Sequence, residues 1–139
     1  MSDIGRSARP IGGLTPFLTI RDGRGQEALD FYARAFGAEV AERNLADDGK
    51  RLMQAGLRVN GGLLMLSDDF PEYTGGATPE PAAVTLHLQV DDADRWFRRV
   101  VDAGAAVTLP IADQFWGDRY GQLRDPFGHS WSIGSTLKR

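Results

Sequence analysis

At 139 residues, 42% hydrophobic and 25% charged, the chain has the length and balance of one globular domain with a sizeable core. Its 16 basic and 19 acidic residues leave a net charge of −3, which offers no electrostatic footprint for nucleic acid or an anionic membrane. Cysteine is absent, which excludes disulfides, thiolate metal sites and cysteine nucleophiles.

No apolar run approaches the ~18 residues of a membrane span. Met1 to Pro10 lacks the apolar core of a signal peptide, so a cytoplasmic location is expected. Residues 1–12 read as a loose N-terminal arm. A first strand is expected over 14–20, with Thr15 and Thr19 on one parity and apolar residues on the other. Asp22-Gly23 turns the chain into a helix over 25–36, where Leu29, Tyr32 and Phe36 share a face. Gly37 suits the left-handed position that ends it. Ala38–Ala46 and Leu52–Val59 read as strands joined through Asp47-Asp48-Gly49. Asn60-Gly61 is a two-residue hairpin signal leading into Leu63–Ser67. Residues 69–82, with Pro71, Gly75, Gly76, Pro79 and Pro81, suit neither helix nor central strand and read as a linker.

The second half opens on Val84–Val90, where even positions are apolar and odd positions are Thr85, His87 and Gln89. One face can pack on a helix while the other presents a hydroxyl, an imidazole and an amide. An antiparallel sheet with one wet face shows the same alternation, so the pattern locates a ligand face without naming the ligand. Asp91, with Asp94 in the first turn, is expected to cap a second helix. Ala93, Trp96, Phe97 and Val100 form its buried stripe, and Gly104 closes it. Strands near 106–110, 119–124 and 129–135 complete the order, with Asp125-Pro126-Phe127-Gly128 as the last turn.

The halves repeat each other. Gly37-Ala38-Glu39-Val40 answers to Gly104-Ala105-Ala106-Val107, Phe31-Tyr32 to Trp96-Phe97, and Gly61 to Gly128. The chain is therefore read as an α+β fold, a βαβββ unit written twice. Its modules are 13–68 and 83–137, within one domain over 13–139. Two half-open mixed sheets, each covered by an outer helix, would enclose a cleft between their inner faces. Parity places Thr15, Phe17, Met65, Ser67, Thr85, His87, Gln89, Ser130 and Ser132 on those faces.

The stretches Thr15-Pro16-Phe17-Leu18, Phe31 to Ala38, Leu64 to Asp68, Leu86-His87-Leu88, Ala112 to Gly121 and Asp125 to Trp131 carry a resemblance. Together they resemble the vicinal oxygen chelate superfamily of glyoxalase I, bleomycin-resistance proteins and extradiol dioxygenases, and more narrowly its PhnB-like branch. The resemblance covers nearly the whole chain after residue 12. It implies the duplicated fold and a homodimer. In metal-dependent members it implies ligands from inner positions of the first and last strands of each unit. Those positions here are Thr15, Met65, Thr85 and Ser132. None is a histidine or carboxylate, which a hard or borderline divalent ion requires. No metal and no cofactor are expected. One scaffold hosts many reactions, so the resemblance leaves the chemistry open.

His87 reads either as a general base or hydrogen-bond donor to a ligand, or as a histidine satisfied by neighbours or water. His129 has the opposite parity from Ser130 and Ser132 and is expected to pack under the helix. The run Phe115, Trp116, Gly117, Asp118, Arg119, Tyr120 can stack on a planar ligand and clamp an anion. It resembles the Trp-Gly-x-Arg stretch bordering the drug site of bleomycin-resistance proteins. Equally, the Asp118–Arg119 pair can fix a structural hairpin. Arg98, Arg99 and Glu80 read as solvated surface. No Gly-rich phosphate loop, nucleophile elbow or zinc-binding histidine pair occurs. The expected function is metal-free binding of a small, partly aromatic or polar molecule, as in sequestration of an antibiotic or metabolite. The alternative is an enzyme of the superfamily, either a cofactorless proton-transfer enzyme using His87 or a metal-dependent lyase or dioxygenase. The partners expected are that molecule and a second copy of the chain, with neither nucleic acid nor membrane.

Overall fold

Alternating strands and two amphipathic helices, one for each half, dictate the architecture. A computed structural model describes residues 9–138. Residues 1–8 of the expected arm, and residue 139 at the end of the expected domain, lie outside the described residues. The elements in order are β1 (Phe17–Ile20), α1 (Gly25–Phe36), β2 (Glu39–Leu45), β3 (Leu52–Val59), β4 (Gly62–Asp68) and α2 (Pro71–Thr74). They continue as β5 (Thr85–Gln89), α3 (Ala93–Ala103), β6 (Ala106–Asp113), β7 (Asp118–Arg124) and β8 (Ser130–Thr136).

These strands form two four-stranded mixed sheets, ordered β1-β4-β3-β2 and β5-β8-β7-β6. In each, the first strand pairs parallel with the last, and the remaining pairs are antiparallel. The α+β class and the duplicated βαβββ order are those read from the sequence. The chain divides into two compact units. The first runs up to Ala33 and from Gly37 to Pro79, and the second comprises Arg34–Phe36 and the chain from Glu80 onward. No helix among the described residues is long and apolar enough to cross a membrane.

The first core gathers Ile20, Leu29, Phe31, Tyr32, Leu57 and Leu66, all buried. In the second, Ala93, Phe97 and Val100 of α3 are buried, as are Leu123, Trp131 and Ile133, while Trp96 is only half-buried. Phe36, which belongs to this unit, lies 4.5 Å from Trp131 between ring centroids. The hairpin at Asn60-Gly61 has positive φ at both residues (49° and 81°), as a primed two-residue turn requires.

Four local expectations need correction. The first strand begins at Phe17, because Pro16 has no N–H to give the ladder; its carbonyl still accepts from the Met65 N–H at 3.0 Å. The linker contains one helical turn, α2, where Pro71 occupies a first-turn position that needs no N–H. The cap of α3 is Asp92, which accepts from the Arg95 N–H at 3.1 Å, while Asp91 meets the Arg95 guanidinium at 3.6 Å. β6 runs past Pro110 to Asp113, since an edge strand with register shifts tolerates proline. His129 is half-buried immediately before β8, and its N–H donates to Asp125 at 3.0 Å.

Buried polar groups tie each helix to its sheet. Asp68, 2% exposed at the end of β4, accepts from the N–H groups of Gly25 (2.8 Å) and Leu52 (2.6 Å). The carboxylate sits so close that a Cβ on residue 25 would lie 2.5 Å from Oδ2, which is why glycine opens α1. In the second unit Ser135, near the end of β8, accepts from the N–H of Ala93, the first residue of α3, at 3.2 Å. Asp125 takes the N–H groups of Phe127 and His129 and the Trp131 indole N–H, at 2.9, 3.0 and 2.9 Å. Asp68→Asn turns an amide N–H toward one of two buried donors, so it should lower stability by about 2 kcal/mol or more. Ser135→Ala should cost about 1 kcal/mol. Urea-unfolding midpoints measure both.

The turn between β2 and β3 carries a titratable lock. The Asp48 carboxylate pairs with Arg51 Nε at 2.7 Å and accepts from the N–H groups of Lys50 and Arg51 at 2.8 and 2.9 Å. The Arg51 side-chain bond first, then those two N–H bonds, lower the Asp48 pKa from 3.8 to about 2. Arg51 also grips Glu72 of α2 through both Nη atoms, at 3.0 and 2.5 Å. Because the folded pKa lies below the unfolded one, this lock is complete above about pH 4 and lost as the pH falls toward 2. Carboxyl carbon shifts should show Asp48 titrating near 2, and Arg51→Gln should move that midpoint back toward 3.8.

Candidate functional site

Strand periodicity and register assemble a polar face on the sheet of the second unit. Thr85 sits opposite Ser130, His87 opposite Ser132, and Gln89 opposite Gly134. On the other side of β8, Gln122 faces Ser132, Tyr120 faces Gly134, and Asp118 faces Thr136. The alternate positions Leu88, Trp131, Ile133 and Leu123 are buried. The polar row is therefore the strand face left over once the apolar parity has packed.

Its side chains bond one another. Thr85 Oγ1 lies 3.0 Å from Ser130 Oγ. His87 Nδ1 lies 2.7 Å from Ser132 Oγ, and Nε2 lies 2.7 Å from Gln89 Oε1. The Gln89 amide N–H₂ reaches Asp118 Oδ1 at 3.5 Å and Thr136 Oγ1 at 3.4 Å. Those acceptors assign the amide oxygen to the histidine side, so neutral His87 carries its proton on Nε2. Nδ1 is then the acceptor for the Ser132 hydroxyl. Ser132 is 1% exposed. Gln122 Nε2 donates to Tyr120 Oη at 2.9 Å.

A ladder of rings runs from this row into the loop between β6 and β7. His87 and Tyr120 are stacked, with centroids 5.8 Å apart at 25°. Trp116 meets Tyr120 edge-on at 5.3 Å, and Phe115 meets Trp116 edge-on at 5.2 Å. The Trp116 indole N–H donates to Asp118 Oδ2 at 3.2 Å. Gly134 makes room for the ladder: a Cβ there would lie 3.1 Å from His87 Cε1 and 3.4 Å from Tyr120 Cδ2. Phe115 is 97% exposed and Trp116 50%.

The structure brings Thr85, His87, Gln89, Ser130, Ser132, Trp116 and Tyr120 into one constellation, with Phe115 at its outer end. Arg119 is not part of it. Its parity on β7 sets it against the other side, where Nε meets Asp94 at 3.1 Å and Nη1 meets Asp113 at 3.1 Å. Hydrogen bonds to Asp94 and then Asp113 raise its pKa further. The anion clamp expected of Arg119 is already filled by two carboxylates, and its work is to tie the ring-bearing hairpin to α3. In the first unit, Phe17 pairs with Met65 and Thr19 with Ser67 on one sheet face. Phe17 is 53% exposed and Met65 is 8% exposed. Thr15 lies just before β1, half-buried. Sequence reasoning left Asp118, Gln122 and Thr136 out of the site. Stepping by two from Tyr120 and Ser132 finds all three.

The donor set read for a metal, Thr15, Met65, Thr85 and Ser132, offers hydroxyls and a thioether. Thr85 and Ser132 are already bonded to Ser130 and His87. Among the described residues no three histidine, aspartate or glutamate side chains gather as a metal site. These residues do not fit a divalent metal.

The family model for the Glyoxalase/Bleomycin resistance protein/Dioxygenase superfamily matches residues 15–133. An uncharacterized protein of Mycobacterium bovis is 45% identical over 130 residues, covering 90% of this chain and 84% of that protein. A solved structure from Pseudomonas aeruginosa shares 25% identity at a TM-score of 0.73, covering 90% of this chain and 98% of the other. The fold is also that of a PhnB protein from Bacillus cereus, at 22% identity and a TM-score of 0.71, covering 90% and 100%. The two sheets carry the duplicated topology and the family match spans both, so the chain belongs to the Glyoxalase/Bleomycin resistance protein/Dioxygenase superfamily.

Proposed function

We propose that this protein is a metal-free binder of a small molecule with a flat aromatic part and polar substituents, held on the polar face of β5, β8 and β7. The observation that carries the reading is the exposed ring ladder beside a prearranged polar row. Phe115 and Trp116 leave apolar surface in water that a planar ligand would cover by stacking. Sequestration of an antibiotic or metabolite in the cytoplasm is the use that this chemistry suits.

Proton transfer is the poorer reading. Both His87 ring nitrogens are engaged within the protein, and the only lone pair of the imidazole receives the Ser132 hydroxyl. A general base needs that lone pair aimed at substrate. The test is a thermal-shift screen of planar aromatic compounds, with hits titrated calorimetrically into wild type and variants. Trp116→Ala should weaken a hit by about tenfold, through lost stacking. His87→Gln should weaken it by roughly tenfold or less, and no hit should be turned over. Turnover that falls about 10²–10⁴-fold in His87→Gln would establish the enzyme instead. Hits that bind Trp116→Ala unchanged would refute this face as the site.

The protein is also proposed to pair two-fold. The edge strands β2 and β6 keep Val40, Leu45, Val107 and Leu109 between 38% and 48% exposed, an apolar edge that isolated chains rarely leave open. Sedimentation at micromolar concentration should give twice the 15.2 kDa chain mass. Charged replacements at Val107 and Leu109 should shift it toward the monomer. A monomeric wild type would refute the pairing.

A further inference from the structure

A groove of about 370 Å³ in the second unit is lined by Arg34, Arg95, Arg98, Arg99, Asp102 and Ala103. Four arginines against one aspartate is a strong local excess in a chain of net charge −3. Helical periodicity explains three of the four. Residues 95, 98, 99 and 102 fall on the face of α3 opposite its buried stripe of Ala93, Phe97 and Val100. Arg34, in the last turn of α1, completes the group.

A solvated helix face accounts for only part of this. Arg95 has a partner, Asp91, at 3.6 Å, with both side chains well exposed. Among the described residues no carboxylate pairs with Arg34, Arg98 or Arg99. Arg99 Nε donates to the Arg34 carbonyl at 2.7 Å, which orients that guanidinium and leaves its terminal N–H groups for another acceptor. Like charges three and four residues apart on a helix repel each other, so Arg95, Arg98 and Arg99 disfavour one another until an anion arrives.

We propose that this groove is a binding site for an oligophosphate chain, free or carried on a nucleotide. Guanidinium forks match phosphate oxygens two at a time, and several forks around one concavity select an anion with several charged oxygens over a single carboxylate. The volume lies at the small end of ligand pockets, which run from about 300 Å³ upward. The lining contains no aromatic ring, so a nucleobase would gain no stacking there and the phosphates alone carry recognition.

Tripolyphosphate titrated calorimetrically into the full chain at low ionic strength should bind saturably, and orthophosphate more weakly. Added salt should weaken both. The double variant Arg95→Gln/Arg98→Gln should bind tripolyphosphate about tenfold less well, through loss of charge-assisted bonds. Arg98→Lys keeps the charge but loses the fork, and should fall between. All these side chains are exposed, so circular dichroism should show each variant folded. ATP that matches tripolyphosphate and suffers the same loss identifies a nucleotide as a source, whereas ATP excluded while tripolyphosphate binds identifies the free chain. No saturable binding, or binding that the double variant leaves intact, overturns the proposal. A single-stranded RNA bound more tightly than tripolyphosphate also overturns it, in favour of a nucleic-acid surface.

Discussion

The Asp68 carboxylate is the constraint on which the first unit turns. It ends β4, receives the first N–H of α1 and receives the N–H that begins β3. One buried group therefore sets where the helix starts and where the middle strand enters the sheet. Burial removes water as a competing partner, so losing the acceptor would strand two donors at once. The price of this closeness appears at Gly25, where no side chain fits. The second unit meets the same geometric need with a neutral hydroxyl, Ser135, since its helix has a side-chain cap of its own in Asp92.

With each helix fixed over one face, the alternation of the strands decides everything on the other. Leu88, Leu123, Trp131 and Ile133 pack beneath, while His87, Gln89 and Tyr120 stand on the opposite face over the buried hydroxyl of Ser132. Polar groups on such a face would lose little by facing water, yet here they bond each other in a chain from Ser132 through His87 and Gln89 to Asp118. A linked row holds its donors and acceptors in fixed directions, which lowers the ordering cost of binding. The exposed rings beside it are what an entering ligand would gain from.

Much of this was legible in the sequence. The stripe of α1, the left-handed Gly37, the span of β3 and the Asn60-Gly61 hairpin are local signals and stand as read. Errors came where local signals competed. Asp91 and Asp92 are equally good caps on paper, and only the fold decides which one reaches the Arg95 N–H. Pro110 argues against a strand until β6 is known to be an edge. At the site, parity found the face but not the partners, because register between strands is a tertiary property. That His87 lies opposite Ser132 could not be read from either strand. Arg119 was misplaced for the opposite reason. The loop reading grouped it with its neighbours, although parity from Tyr120 already set it on the other side.

The two units hold the same fold under different chemistry. Met65 and Ser132 occupy matching places in the last strands, and Phe17 and His87 stand opposite them in the first strands. One pair is apolar and the other hydrogen-bonded. The positions that secure the helices, Asp68 and Ser135, are polar in both units and accept the same kind of N–H. The scaffold is specified by those buried acceptors and by the apolar parity beneath them, neither of which the open face disturbs. That face lies apart from the groups that secure the helices, and one scaffold of this kind can carry many chemistries.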